Sequence, residues 1–198
     1  RSRGFPAPPT SALKSEVRII GGRLRGRKLA VVDAVGLRPT PARIRETLFN
    51  WLGPHCPGAS VLDCFAGSGV LGFEALSRGA TSVVAIEQNP AALANLRLQA
   101  QELDAAIEIL GGDARRNLLR LSRQFDLVFI DPPYAEPGLR AEIFDLLEAQ
   151  QALRDGARIY FEWPRGEDFT LPSEQLRWSK HKTAGQVEYA VAEWRVSR

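Results

Sequence analysis

Residues 61–78 read VLDCFAGSGVLGFEALSR, and the fold follows from how this stretch is punctuated. An apolar run from residue 60 ends at Asp63, Gly67 and Gly69 mark a tight turn, and an apolar segment with helical spacing begins at once. A short buried strand running through glycines into a helix is the repeating unit of a parallel sheet covered on both faces. Working outward, the same alternation continues. Strands are expected over 60–65, 82–86, 106–110, 125–130 and 157–162, with amphipathic helices over 70–78, 90–103, 114–122 and 138–150. FDLVFI at 125–130 is apolar at all but one position, as a strand buried on both faces requires. Two further strands, 176–182 and 186–195, flank a turn containing Gly185 and read as an antiparallel hairpin at one sheet edge. The expected fold class is α/β, a doubly wound sheet.

Before residue 60 the pattern differs. Residues 1–15 carry Pro6, Pro8 and Pro9 and read as a flexible tail. Basic residues there precede no apolar run, so no secretory signal is expected, and the missing initiator Met is expected to reflect a trimmed start. Val17–Ile20 and Lys28–Val32 flank GGRLRGR as a β-hairpin. Thr40 as N-cap and Pro41 in the first turn start a helix that Gly53 and Pro54 stop.

The composition is that of a globular chain, with 44% hydrophobic and 25% charged residues over 198, and excludes a disordered or collagen-like protein. No apolar run is long enough to span a membrane. Two cysteines, Cys56 and Cys64, make no disulfide framework, so a reducing cytoplasm is expected, and two His with two Cys suggest no metal site. The net charge of +3 is unevenly spread. Residues 1–45 hold 11 basic and 2 acidic side chains, against 15 and 21 in the rest, and 22 of the 26 cations are arginine. A basic arm on an acidic body suits an anionic polymer, and the guanidinium fork suits phosphate. A solvated tail explains the same charge.

Ligands of doubly wound sheets sit at the carboxyl ends of the strands. There Gly67 and Gly69 let the backbone approach a ligand, and Phe65 sits beside them; Gly72 completes a formal G-x-G-x-x-G. Glu87 closes the second strand, where a carboxylate accepts from both hydroxyls of a ribose, in a dinucleotide or in S-adenosylmethionine alike. Asp63 is more discriminating, because a carboxylate at that position repels a pyrophosphate but suits a cationic amino group. Asp113, after the third strand, could accept from an adenine amine. Each acid could instead be a turn residue or helix cap.

The fourth strand ends in Asp131-Pro132-Pro133-Tyr134. FAGSG after Asp63, taken with DPPY, resembles the S-adenosylmethionine-dependent methyltransferases of exocyclic base amines. RIIGGRLRGRKL, RPTPARIRETLFNWL, VLDCFAGSGVLGFEALSRGA, DPPY and KHKTAGQVEY narrow the resemblance, over about 17–194, to the bacterial 16S rRNA guanine-N2 methyltransferases acting on guanine 966. Cys64, where an aliphatic residue is common, is a mild departure.

The resemblance implies a Rossmann-like methyltransferase sheet, S-adenosylmethionine as cofactor and 16S rRNA or a small-subunit ribosomal particle as partner; the residues themselves suggest no metal and no membrane span, and carry no oligomeric signal, so a monomer is the default. It divides the chain into a tail (1–15), an RNA-contacting hairpin and helix (16–56) and a methyltransferase domain (57–198). It implies that the Asp131 carboxylate and the Pro132 carbonyl hold the amine hydrogens, and that Tyr134 stacks on a flipped-out base. Arg23, Arg25, Arg27 and Lys28 would clamp phosphate, Arg38, Arg43 and Arg45 would reach substrate nearer the crevice, and His181 and Lys182 would line another wall. Fewer than 60 residues precede residue 60, too few for a separate recognition domain of ~100 residues, so a prefolded substrate read by shape is expected. Competing readings are an adenine or protein-glutamine amine as acceptor, a nicotinamide oxidoreductase that leaves DPPY unexplained, and a noncatalytic RNA-binding module.

Overall fold

The computed structural model describes residues 13–32, 39–136 and 138–196. Strands β1 (Leu13–Arg18) and β2 (Lys28–Val32) form a separate antiparallel ribbon, followed by helix α1 (Ala42–Leu52) and a 3-10 turn at Gly53–His55. The chain then alternates through β3 (Ser60–Asp63), α2 (Val70–Ser77), β4 (Ser82–Glu87), α3 (Pro90–Glu102), β5 (Ile107–Gly111), α4 (Ala114–Leu118), β6 (Phe125–Ile130), α5 (Leu139–Ala149) and β7 (Leu153–Pro164). It ends in the hairpin β8 (Leu176–Ala184) and β9 (Val187–Trp194). The spatial order is β5-β4-β3-β6-β7-β9-β8, with β9 antiparallel to both its neighbours. The chain builds outward from β3 to β5 and then returns to place β6 on the other flank of β3. The topological switch point therefore lies between β3 and β6, where such sheets open a crevice.

Strand alternation divides the core in two. Val61, Val83, Ala85, Leu127, Phe129 and Tyr160 face α1, α2, α3 and the ribbon. Leu62, Val84, Ile86, Val128, Ile130 and Phe161 face α4 and α5. Both cysteines are buried and unpaired.

The N-terminal segment is bolted to α2. Glu74, fully buried on α2, accepts from the Ile20 N–H (2.7 Å) and pairs with Arg45 Nη1 (2.8 Å). Arg45 also donates to the carbonyls of Arg18 (2.9 Å) and Thr40 (3.0 Å). Removing either partner would strand a buried charge, at a cost of about 3–5 kcal/mol. One turn further on, Ser77 accepts from the N–H groups of Arg23 and Leu24, each at 2.8 Å. Gly22, at φ 75°, passes so close that a Cβ would lie 1.8 Å from the Ser77 carbonyl oxygen. Asn95 of α3 donates to the Ala30 carbonyl (2.8 Å) and ties down β2.

Several boundaries depart from the sequence expectation. β1 begins at Leu13, inside the segment expected as tail, and stops at Arg18 because the Ile20 N–H turns to Glu74; residues 1–12 lie outside those described. Pro41, not Thr40, is the N-cap of α1; Thr40 is buried and lends its carbonyl to Arg45. α4 stops at Leu118: the Leu119 N–H still bonds four residues back to Arg115, but those of Arg120 and Leu121 bond three back, to Asn117 and Leu118, tightening the last turn. β7 reaches back to Leu153 through an irregularity in its pairing with β6.

Candidate active site at the carboxyl edge of the sheet

A cleft of about 710 Å³ opens at the switch point. Its floor is the Asp63–Leu71 turn, Glu87 and Asn89 form one wall, and Asp131–Ala135 with Glu162 form the other. Val31, Val32, Thr40 and Pro41 close it from the N-terminal side, and Gln186 and Val187 from the β8–β9 turn. The Gly67 turn and Asp131 thus face one cavity.

Counting along the strands explains why. Glu87, Asp63, Asp131 and Glu162 each lie two residues beyond Ala85, Val61, Phe129 and Tyr160, which all belong to one core. Side chains alternate with period two, so four acids from four adjacent strands emerge on the same face.

Glu87 shapes the turn. Its Oε2 accepts from the Gly67 N–H and its Oε1 from the Asn89 N–H, both at 2.7 Å. Gly69 is the left-handed N-cap of α2, at φ 77°, and a Cβ there would lie 2.3 Å from Leu96 Cδ1. Glycine is required there on both counts. Asp63 is 2% exposed, and its Oδ2 has no hydrogen-bond partner among the described residues. Burial, helped by the Glu87 charge and opposed by the Phe65 and Gly72 N–H groups, pushes its carboxyl up to about 7. A buried carboxylate with one unpartnered oxygen on a ligand cleft suits a cationic ligand group. Asp113 caps α4 through the Arg116 N–H (3.3 Å) and takes Arg115 Nη1 on its other oxygen (3.0 Å). It lines a recess of about 30 Å³ beside Phe65 and Glu87, which Arg115 narrows by also pairing with Glu136 and Glu142.

On the other wall Asp131 follows β6, partly exposed, beside the buried Pro132. Burial, then the charges of Glu162 and Asp63, hold its carboxyl well above the usual carboxylate range, with the Arg140 charge opposing. Tyr134 is 46% exposed, and its hydroxyl donates to Glu162 Oε1 (2.8 Å); the Tyr160 hydroxyl donates to Glu162 Oε2 (2.6 Å). Burial raises Glu162 too, against the pull of those two donors. Arg140, fully buried, pairs with Glu167 and lies over the Phe169 ring, while its Nε and Nη1 find no partner among the described residues. Its charge faces Asp131 and Tyr134.

The expected cofactor and catalytic residues, Asp63, Phe65, Gly67, Glu87, Asp131, Pro132 and Tyr134, converge on this cleft, with Gly69 capping the helix below and Asp113 in the adjoining recess. The expected substrate residues do not all do so. Arg23, Arg25 and Arg27 are exposed on the β1–β2 loop against Ser77, at the far end of α2 from Gly69. Eight helical residues separate those ends by about 12 Å. Lys28 pairs with Glu16 (2.6 Å). Arg43 is exposed in the first turn of α1, two residues from the cleft-lining Pro41, and Arg38 lies outside the described residues. Arg45 is a correction: it is buried against Glu74 and cannot touch substrate. His181 is exposed and pairs with Glu188 (3.0 Å); Lys182 is exposed beside it on β8.

Sequence reasoning missed Glu162, Tyr160 and Arg140. A signal for Glu162 was present, since it is the single charge in IYFEWP (159–164), near the end of an apolar strand. Among the described residues no group of three or more His, Cys, Asp or Glu could hold a metal ion, and no helix is long and apolar enough to cross a membrane.

Fold and cleft together define a Rossmann-like α/β domain of the methyltransferase type. The candidate methyltransferase yhhF from Escherichia coli superimposes with a TM-score of 0.82 at 40% identity, over 92% of this chain and 100% of that one. The chain belongs to the family described as conserved hypothetical protein 95, whose model matches residues 17–193. It is 44% identical to ribosomal RNA small subunit methyltransferase D of Escherichia coli K12 over 184 residues, 91% of each protein. To the protein of the same name from Haemophilus influenzae it is 40% identical over 185 residues, 91% of this chain and 95% of that one. The family resemblance read from the motifs is borne out.

Proposed function

We propose that the protein transfers a methyl group from S-adenosylmethionine to the exocyclic N2 amine of a guanine in 16S rRNA, on an assembling small-subunit particle in the cytoplasm. The observation that carries this reading is the single cleft joining the Gly67 turn to Asp131 and Tyr134. The names of the relatives support ribosomal RNA as substrate.

The residues present fit the cofactor. Glu87, already fixed by two backbone donors, keeps lone pairs for ribose hydroxyls. The unpartnered Oδ2 of Asp63 matches a cationic amino group. When bound, S-adenosylmethionine supplies a methyl group on a sulfonium, already activated for transfer.

The chain's own contribution is alignment. A base amine is a poor nucleophile because its lone pair is delocalised into the ring. The Asp131 carboxylate and Pro132 carbonyl accept its two hydrogens and turn the lone pair toward the methyl carbon. Proline at 132 offers no competing N–H. Tyr134, exposed but tethered through its hydroxyl, stacks on the base. The proton released after N–C bond formation passes to Asp131, held within easy reach of protonation, or to water. Residues 16–56 serve as the RNA-contacting extension, with Arg43 near the cleft and the Arg23–Arg27 loop on more distant phosphates; 57–198 act as the catalytic domain, in a monomer.

The test uses small-subunit particles and naked 16S rRNA from cells lacking the protein, incubated with labelled S-adenosylmethionine. Label is expected on N2 of one guanine, with particles turning over faster than naked RNA. Label on an adenine, or none, overturns the function; equal turnover on both substrates overturns the particle as substrate.

A further inference from the structure

The wall of the cleft that receives the base carries two carboxyls, not one. Ile130 of β6 pairs with Phe161 of β7 in parallel register, so the next residues, Asp131 and Glu162, leave neighbouring strands about 4.8 Å apart. Both share the face of Phe129 and Tyr160, whose rings meet edge-on at 6.2 Å, and both line the cleft. Glu162 takes one hydroxyl donor on each oxygen, Tyr134 on Oε1 and Tyr160 on Oε2. A carboxylate offers about four acceptor sites, so each oxygen keeps one for a ligand. The two donated hydroxyls favour the ionised, accepting form and so oppose the upward push that burial gives the group.

The wall therefore presents acceptor beside acceptor. The matching ligand edge is donor beside donor, an amine next to a ring N–H. Guanine has that edge in N2–H and N1–H. Adenine and cytosine place an unprotonated ring nitrogen beside the amine, which would set a lone pair against Glu162. We infer that Glu162 selects the base by accepting the ring N–H adjacent to the amine held at Asp131. This rests on the reading of Asp131 as the amine-holding residue, but its argument is the register of β6 and β7 and the two tyrosine hydroxyls. Glu162 contacts the base and sets specificity, while also anchoring the stacking Tyr134.

The experiment compares wild-type protein with Glu162→Gln on small-subunit particles assembled from RNA carrying either guanine or 2-aminopurine at the methylated position. 2-Aminopurine keeps the amine but has a bare N1. The wild type is expected to prefer guanine by about 10²-fold in kcat/KM, the cost of leaving a buried acceptor facing a lone pair. Glu162→Gln is expected to lose about 10²-fold on guanine and to gain on 2-aminopurine, because the glutamine amide can donate to N1, so the preference collapses. Equal losses on both substrates would show that Glu162 only holds Tyr134, and would overturn the inference while leaving the methyltransferase reading intact. A wild type indifferent to the two bases would overturn it without any variant. A wild type that methylates neither particle would instead overturn the proposed function on which the inference rests.

Discussion

Glu87 and Glu162 invite comparison. Each is a glutamate at the carboxyl end of a sheet strand, each is 5% exposed, and each lines the same cleft. Glu87 is satisfied by backbone, through the N–H groups of Gly67 and Asn89. Glu162 is satisfied by side chains, through the hydroxyls of Tyr134 and Tyr160. Any residue but proline can supply a backbone N–H, so the wall around Glu87 depends on loop shape, which Gly67 and Gly69 set with their left-handed backbone (φ 53° and 77°). A phenol hydroxyl comes only from tyrosine, so the wall around Glu162 depends on residue identity. The cofactor wall is a matter of conformation, and the acceptor wall a matter of chemistry.

The largest expected effect separates the two walls outright. Asp131→Ala should lower turnover by about 10³-fold or more, because it removes alignment of the nucleophile. S-adenosylmethionine affinity, measured by equilibrium dialysis, should stay within a few-fold, and an equal collapse of both would show that the walls are not independent. Glu87→Gln should do the converse. One oxygen becomes an amide donor facing a backbone N–H, and cofactor binding should weaken by about 10- to 100-fold, the worth of a charge-assisted hydrogen bond. RNA affinity measured without cofactor should not move.

A smaller effect sharpens the contrast through pH. Asp63 is raised to about 7, so below that pH it is protonated and cannot attract a cationic amino group. Cofactor affinity should rise by up to about tenfold per pH unit between 5.5 and 7 and level off above 8, and Asp63→Asn should be weak and flat with pH. Folding stability should run the other way. Between about pH 4 and 7 the folded chain keeps a proton that the unfolded chain has lost, so stability falls as pH rises across that window. Thermal unfolding of Asp63→Asn should show a smaller fall, the remainder coming from the raised carboxyls of Asp131 and Glu162. The smallest effect on chemistry is expected at the far end of α2. Replacing Arg23, Arg25 and Arg27 together by Gln should flatten the salt dependence of RNA binding, by about one unit of slope for each phosphate no longer neutralised. Turnover at saturating RNA should hold, and a fall there would place the loop nearer the reacting base than α2 allows.

The wall built on conformation was the more legible one in the sequence. Asp63, Gly67, Gly69 and Glu87 stand at fixed distances from the ends of apolar runs, and period-two counting suffices to aim them. DPPY announced the start of the other wall. Glu162 stayed hidden because its meaning depends on β7 lying beside β6 in one register, across about thirty residues of intervening chain. Arg45 misled for the opposite reason. Its basic neighbourhood resembled a phosphate site, but the acid that claims it, Glu74, lies 29 residues away on α2. The Arg23–Arg27 loop was legible as charge but not as position, since the docking of Ser77 and Glu74 decides which end of the ribbon meets the cleft.

The shared parity of the four acids limits how this gene can change length. Deleting or duplicating one codon inside β3, β4, β6 or β7 would leave composition and hydropathy almost untouched, yet would rotate that strand's carboxyl through the sheet into the opposite core. Two-codon changes would shift it along the strand without inverting it. Odd-numbered indels in these strands therefore bury a carboxyl in the opposite core and cost stability as well as chemistry, whereas even-numbered ones move it about 7 Å for every two residues and cost chemistry first, a difference that thermal unfolding of the deletion variants reads.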